Sequence, residues 1–83
     1  MLEKAGVISA LRFQVPFELQ PSFKRDGKTI RAIVYVADAV YFENGEWIVE
    51  DTKSPATAAK ESYRLKKKLF LFKYPEYTFR ENI

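Results

Sequence analysis

Asn44-Gly45 separates two apolar, β-forming runs, and that dipeptide limits what the chain can fold into more than any other feature. Asparagine and glycine both tolerate positive φ, so the pair favours the type I′ turn of a two-residue hairpin. Residues 30–42, ahead of the turn, are rich in Ile, Val and Tyr on both faces, which predicts a central strand. Residues 46–53 predict its antiparallel partner. Trp47, Val49, Asp51 and Lys53 would share one face, and Ile48, Glu50 and Thr52 the other. Both runs carry acids inside apolar sequence: Asp38 in the first, Glu50 and Asp51 in the second. A carboxylate withdrawn from water costs several kcal/mol unless it is paired or holds a cation. The hairpin would bring Asp38 towards Asp51 and Lys53.

The remaining segments predict one small domain over residues 1–83. Residues 1–6 read as the last turn of a helix closed by Gly6, so the chain begins where a longer helix would finish. Residues 10–19 alternate, with Leu11, Phe13, Val15, Phe17 and Leu19 on one face and Arg12, Gln14, Pro16 and Glu18 on the other. Pro16 cannot donate a ladder hydrogen bond, which places this strand at an edge or beside a bulge. Residues 21–28 predict a loop with an Asp-Gly turn. Thr57 can cap a helix running to about Lys73, with Pro55 just upstream. Its core stripe would be Ala58, Ser62, Leu65, Leu69 and Phe72, with Tyr63, Lys66 and Phe70 on a neighbouring stripe. Residues 76–82 alternate again and predict a last short strand. The order is helix remnant, three strands, helix, strand.

Composition narrows the chemistry. Histidine and cysteine are both absent. Triads, His general bases, His-based zinc sites and disulfides are therefore excluded. Catalysis would rest on carboxylates, lysine, tyrosine or a metal held by oxygen. No apolar run approaches the roughly 20 residues needed to cross a bilayer, and the first residues lack the apolar stretch of a signal peptide. The expectation is a cytoplasmic protein without a membrane partner. The net charge is +3, but residues 60–73 carry six cations against Glu61, a net of +5 that leaves −2 for the rest. Such a stripe is the usual footprint of a polyanion such as DNA, and also occurs as a solvated helix face.

Asp38, Asp51 and Lys53 form the candidate catalytic group. Asp38 and Asp51, with the carbonyl of Thr52, could hold Mg²⁺ or Mn²⁺, which prefer octahedral oxygen ligands. Lys53 could orient a water or stabilise charge developing on a phosphate. Acid-x-Lys taken alone also describes an exposed ion pair near a strand end. Glu50 competes with Asp51 as ligand, because a bulge would exchange their faces. Gln14 could contact a metal-bound water or hold the lysine; otherwise it is an ordinary exposed glutamine. Thr57, Lys60, Tyr63, Arg64, Lys66 and Lys67 are candidate contacts to DNA phosphates. Tyr63 has core packing as its alternative. Lys66, Lys67 and Lys68 point in different directions, so one or two at most can meet one DNA backbone.

These residues resemble the PD-(D/E)xK, or restriction-endonuclease-like, superfamily. That group shares an αβββαβ core with an acid in its second strand and acid-x-Lys in its third, here Asp38 and Asp51-Thr52-Lys53. The chain is similar from end to end to a phage and prophage branch of small proteins without assigned function. The matching segments are Leu11-Arg12-Phe13-Gln14-Val15-Pro16-Phe17, Tyr35 to Asp38, Val49 to Lys53, and Tyr63 to Lys66. The resemblance implies an α/β (α+β) fold: a mixed twisted sheet packed by one long helix, with the first helix truncated. It implies a metal-dependent endodeoxyribonuclease acting in a bacterial host's cytoplasm on double-stranded or branched DNA, in phage replication, recombination or packaging. Catalytically inactive DNA binding and a structural or assembly role are the alternatives. Two positions depart from the pattern. The superfamily's first-helix glutamate has no clear counterpart, Glu3 being the only acid there, and Ala39 stands where the branch tends to have an aromatic. A missing helix would uncover one sheet face, which a second subunit of a homodimer could cover.

Overall fold

A computed structural model describes residues 8–83. The helix tail expected at residues 1–6, with Glu3 and Gly6, lies outside the described residues. The elements are β1 (Ile8–Gln20), β2 (Phe23–Arg25), β3 (Lys28–Ile30), β4 (Ile33–Glu43), β5 (Glu46–Thr52), α1 (Pro55–Ala58), α2 (Glu61–Lys73) and β6 (Tyr77–Asn82). β1, β4, β5 and β6 lie side by side in that order. The first two pairings are antiparallel and β5–β6 is parallel, so the sheet is mixed and the two helices form its crossover. With α2 packed on that sheet, the fold is α+β.

Both Asx-Gly dipeptides turn as their chemistry requires. Asn44 and Gly45 have φ of 50° and 80° at the β4–β5 hairpin. Asp26 and Gly27 have φ of 52° and 75°, and they close β2 onto β3 in a separate ribbon. The segment expected to be a loop at residues 21–28 therefore contains strands. The expected strand over residues 30–42 is divided, with Arg31 and Ala32 outside both β3 and β4.

Two clusters flank the sheet. Phe17, Tyr35, Ala37, Val40 and Val49 pack with Tyr63 and Phe70 of α2. Ile8, Ala39, Tyr41 and Ile48 pack on the opposite face with Leu11. Alternation along β1 and β4 is thus interrupted. Val15 and Leu19 join the helix-side cluster with Phe17, whereas Leu11 joins the other and Phe13 is 62% exposed. The single face expected for Leu11 through Leu19 does not exist, because Gln14 adopts a left-handed backbone (φ 52°) and breaks the pleat. β4 changes phase at Asp38, opposite Gln14: Tyr35 and Ala37 face the helix, then Val40 does. β1 is indeed an edge strand, and Pro16 sits on it facing Val36.

The helical region also differs from expectation. Ser54, not Thr57, is the N-cap: its hydroxyl accepts the Thr57 N–H at 3.2 Å, and Pro55 supplies the preset φ of a first helical residue. The single helix is split, because Lys60 is extended (φ −67°, ψ 135°) between α1 and α2. The stripe that meets the sheet is Tyr63 and Phe70, the neighbouring one. Leu65 and Phe72 are 52% and 86% exposed. Phe70 is fully buried among Phe17, Tyr35, Tyr74 and Phe79, with ring centroids 5.0–5.8 Å away. A buried phenylalanine contributes about 1.5–3 kcal/mol, and these rings anchor the helix beside the polar group of β4 and β5.

Candidate metal and phosphate site

The β4–β5 ladder runs from Glu43–Glu46 to Ala39–Glu50 and goes no further. Beyond it the strands part, and the Asp38 side chain takes over: its Oδ2 accepts the Thr52 N–H at 2.9 Å. That hydrogen bond is the main reason the Asp38 carboxyl is held below its usual range, with Asp51, Lys53 and Gln14 adding to it. Asp51, next along β5, is completely buried. Burial pushes its carboxyl above the usual range, and the neighbouring Asp38 pushes the same way. Two hydrogen bonds oppose that shift: the Tyr35 hydroxyl donates to Oδ2 at 2.6 Å, and the Lys53 ammonium donates to Oδ1 at 2.7 Å. Lys53 also lies over the Tyr63 ring, 5.4 Å from its centroid.

The structure therefore brings Asp38, Asp51, Lys53 and Thr52 together, and sets Gln14 opposite Asp38 on β1. Thr52 enters through its N–H. Glu50 is excluded from the group, since it lies on the other sheet face and accepts the Tyr41 hydroxyl. There Arg80 donates to Tyr41 and to Glu43, at 2.8 and 3.2 Å. Burial and Glu50 push the Tyr41 hydroxyl up to about 12.

The donors suit a hard divalent cation: they are carboxyl oxygens, and the Asp51 carboxyl is shielded from water. No cluster of three or more acids forms among the described residues. Lys53 supplies the positive charge next to Asp51, so a divalent cation bound there would compete with it or share Oδ1.

An open cleft of about 300 Å³ adjoins Lys53, lined also by Thr57, Lys60, Ser62, Tyr63 and Lys66. The ammonium groups of Lys53, Lys60 and Lys66 and the hydroxyls of Thr57 and Ser62 thus line the cleft, and Lys53 joins it to the acidic pair through its bond to Asp51. Tyr63 lines the cleft with its ring, while its hydroxyl donates to Glu81. Burial, and then that bond, raise the phenol above its usual range. Arg64 and Lys67 lie outside this cleft, on a second cavity between α2 and β6. Lys67 is paired with Glu81 at 3.0 Å. The six expected phosphate contacts are therefore divided: Thr57, Lys60 and Lys66 open to the cleft, Tyr63 serves as its wall, and Arg64 and Lys67 face elsewhere.

Sequence reasoning missed Tyr35 and Glu81 as members of this network. A tyrosine in an apolar strand was the available signal, because a buried phenol needs a polar partner. Glu81 gave no comparable sign.

No curated protein and no solved structure matches the chain. No helix among the described residues is long and apolar enough to cross a membrane. One family, described as "Protein of unknown function (DUF1064)", matches residues 1–81, and the chain belongs to that family.

Proposed function

We propose that this chain is a metal-dependent endodeoxyribonuclease domain of the PD-(D/E)xK type, of phage or prophage origin, acting on double-stranded or branched DNA. One observation carries the reading: Asp38 and Asp51 converge where β4 and β5 part, with Lys53 bonded to Asp51 and a lysine-lined cleft alongside. The mixed sheet with its helical crossover agrees with the restriction-endonuclease-like core.

Asp38 and Asp51 would hold Mg²⁺ or Mn²⁺, which when bound activates water and polarises a phosphate. Tyr35 keeps Asp51 oriented, and the Thr52 N–H does the same for Asp38. Lys60, Lys66 and Thr57 would bind the nucleic-acid backbone, giving salt-sensitive affinity without sequence preference. Hydrolysis joins a water oxygen to phosphorus and breaks one bridging P–O bond, whose oxygen leaves protonated. Lys53 stabilises the negative charge that grows on the non-bridging oxygens.

The test is cleavage of linear duplex and four-way-junction DNA with Mn²⁺ or Mg²⁺, by the wild type and by Asp38→Ala, Asp51→Ala and Lys53→Ala. The expected result is wild-type cutting that all three variants lose while staying folded. Cutting that survives Asp51→Ala would refute the assignment. A second reading, DNA binding without hydrolysis, is favoured by the lack of a third acid beside the pair among the described residues. It predicts salt-sensitive binding unaffected by Asp38→Ala, with no cutting by the wild type.

A further inference from the structure

The β2–β3 ribbon takes no part in the proposed function. All six of its strand residues are exposed, and none belongs to either core cluster. A two-stranded ribbon alone in water is marginally stable at best. β4, residues 31–32 and β3 laid end to end span roughly 50 Å at about 3.3 Å per residue. The longest dimension of the molecule is 53 Å. The ribbon therefore continues the line of β4 and projects beyond the sheet.

Its charges oppose its own pairing. Phe23 faces Ile30, Lys24 faces Thr29 and Arg25 faces Lys28. The aromatic and β-branched pair at the base holds the strands together, whereas like charges directly opposite each other at the tip destabilise them. No salt bridge among the described residues engages Lys24, Arg25, Lys28 or Arg31. Asp26 in the turn is the one acid between residues 21 and 32, which leaves that segment a net +3. An anion from outside the chain would relieve the pair at the tip.

Shape and polarity select that anion. Paired residues share a face, and faces alternate along each strand. Arg25 and Lys28 therefore leave one face of the ribbon and Lys24 the other. A flat lipid or acidic protein surface meets one face only, while a groove with a phosphate chain along each wall meets both. Lipid is disfavoured further because Phe23 and Ile30 sit at the base, behind the charged tip. Two strands about 4.8 Å apart, with their side chains, suit the major groove of B-DNA, about 12 Å wide, and not the minor groove, about 6 Å. Duplex RNA has too narrow a major groove to admit them.

Position agrees with this. The cleft beside Lys53 reaches back along Val34, Tyr35 and Val36 towards the start of β4, where the ribbon begins. Lys28 precedes Asp38 by ten residues. That is roughly 33 Å of extended chain, close to one turn of B-DNA at about 34 Å.

We propose that the β2–β3 ribbon is an arm that enters the major groove of duplex DNA about one helical turn from the acidic pair, with Arg25, Lys28 and Lys24 on the phosphates of the two walls. The spacing to Asp38 and Asp51 rests on the proposed nuclease function; the groove contact does not require cutting.

The test is fluorescence anisotropy with duplex DNA about three helical turns long, comparing the wild type, the double variant Arg25→Ala/Lys28→Ala, and Lys28→Glu. The double variant should bind about tenfold or more weakly at about 0.1 M salt, with a log–log salt slope shallower by about 1.8. Lys28→Glu turns the like-charge pair into an ion pair, so it should slow amide exchange in the ribbon while weakening DNA binding, which separates lost contact from lost fold. Bulky C5 substituents on the pyrimidines, which fill the major groove, should weaken wild-type binding, and a minor-groove dye should not. Unchanged affinity in both variants, competition by the dye alone, or no duplex binding by the wild type would overturn the proposal. So would equal binding of single strands or anionic vesicles through the same residues. Ribbon-dependent binding by a wild type that does not cut with Mn²⁺ supports the arm and defeats the nuclease. Mn²⁺-dependent cutting with unchanged duplex affinity in both variants does the reverse.

Discussion

Replacing Tyr35 by phenylalanine isolates the bond that orients the buried acid. Tyr35 is 3% exposed, and its hydroxyl donates to Asp51 Oδ2 at 2.6 Å. Phenylalanine keeps the ring packing on Phe70 and Phe79, at 5.3 and 6.3 Å. What is lost is one hydrogen bond to a charged acceptor, about 1.5–3 kcal/mol. For a domain of this size that is a fall in Tm of roughly 6–24 °C. The same change in an Asp51→Asn background removes only a neutral hydrogen bond, about 0.5–1.5 kcal/mol. Loss of the Lys53 ion pair is common to both Asn proteins and cancels. The double-mutant cycle by urea unfolding, above the carboxylate range, should therefore return a coupling of about 1 kcal/mol. Equal costs for Tyr35→Phe in the two backgrounds would show that this contact does not hold Asp51, and the account of the site would fail with it.

Other outcomes follow from the same geometry. Lys53→Met should bind Mn²⁺ at least as tightly as the wild type, because the ammonium 2.7 Å from Asp51 Oδ1 no longer competes, yet should lose DNA cleavage; calorimetry and a cutting assay together check this. Phe70→Ala should cost about 3–5 kcal/mol, whereas Phe72→Ala should stay within about 0.5 kcal/mol; chemical denaturation would invert that order if the other helix stripe were the core. The Glu81 carboxyl is held below its usual range by the Tyr63 hydroxyl and then by Lys67. Its contribution is thus complete above the unfolded carboxylate range and is lost as pH falls through the depressed value. Glu81→Gln should flatten the acid limb of a stability–pH curve, by under about 1 kcal/mol; an unchanged limb would remove this residue from the network.

Local chemistry was legible where a residue type permits one backbone state or few. Asn44-Gly45 and Asp26-Gly27 turn as their sequence demands, and Pro16 does lie on an edge strand. The face of Asp51 and Lys53 also followed from counting by two, since β5 is regular. Counting failed on β1, because nothing in its sequence announces that Gln14 takes a left-handed conformation. It failed on α2 for a different reason. Leu65, Leu69 and Phe72 make as good an apolar stripe as Tyr63 and Phe70, and period alone cannot rank two adjacent stripes.

Sequence by itself determined the hairpin, the three strand acids and the lysine, because these depend on neighbours along the chain. Tertiary structure decided which acids meet. Asp51 joins Asp38 and Glu50 does not, because β4 and β5 part beyond the Ala39–Glu50 pair and Asp38 replaces the lost ladder contact with the Thr52 N–H. It also decided which helix stripe is buried and where the cations go. Lys60 and Lys66 border the cleft, while Lys67 turns to Glu81. Those outcomes rest on strand divergence and on the rotation of α2 over the sheet, which arise only when distant segments pack.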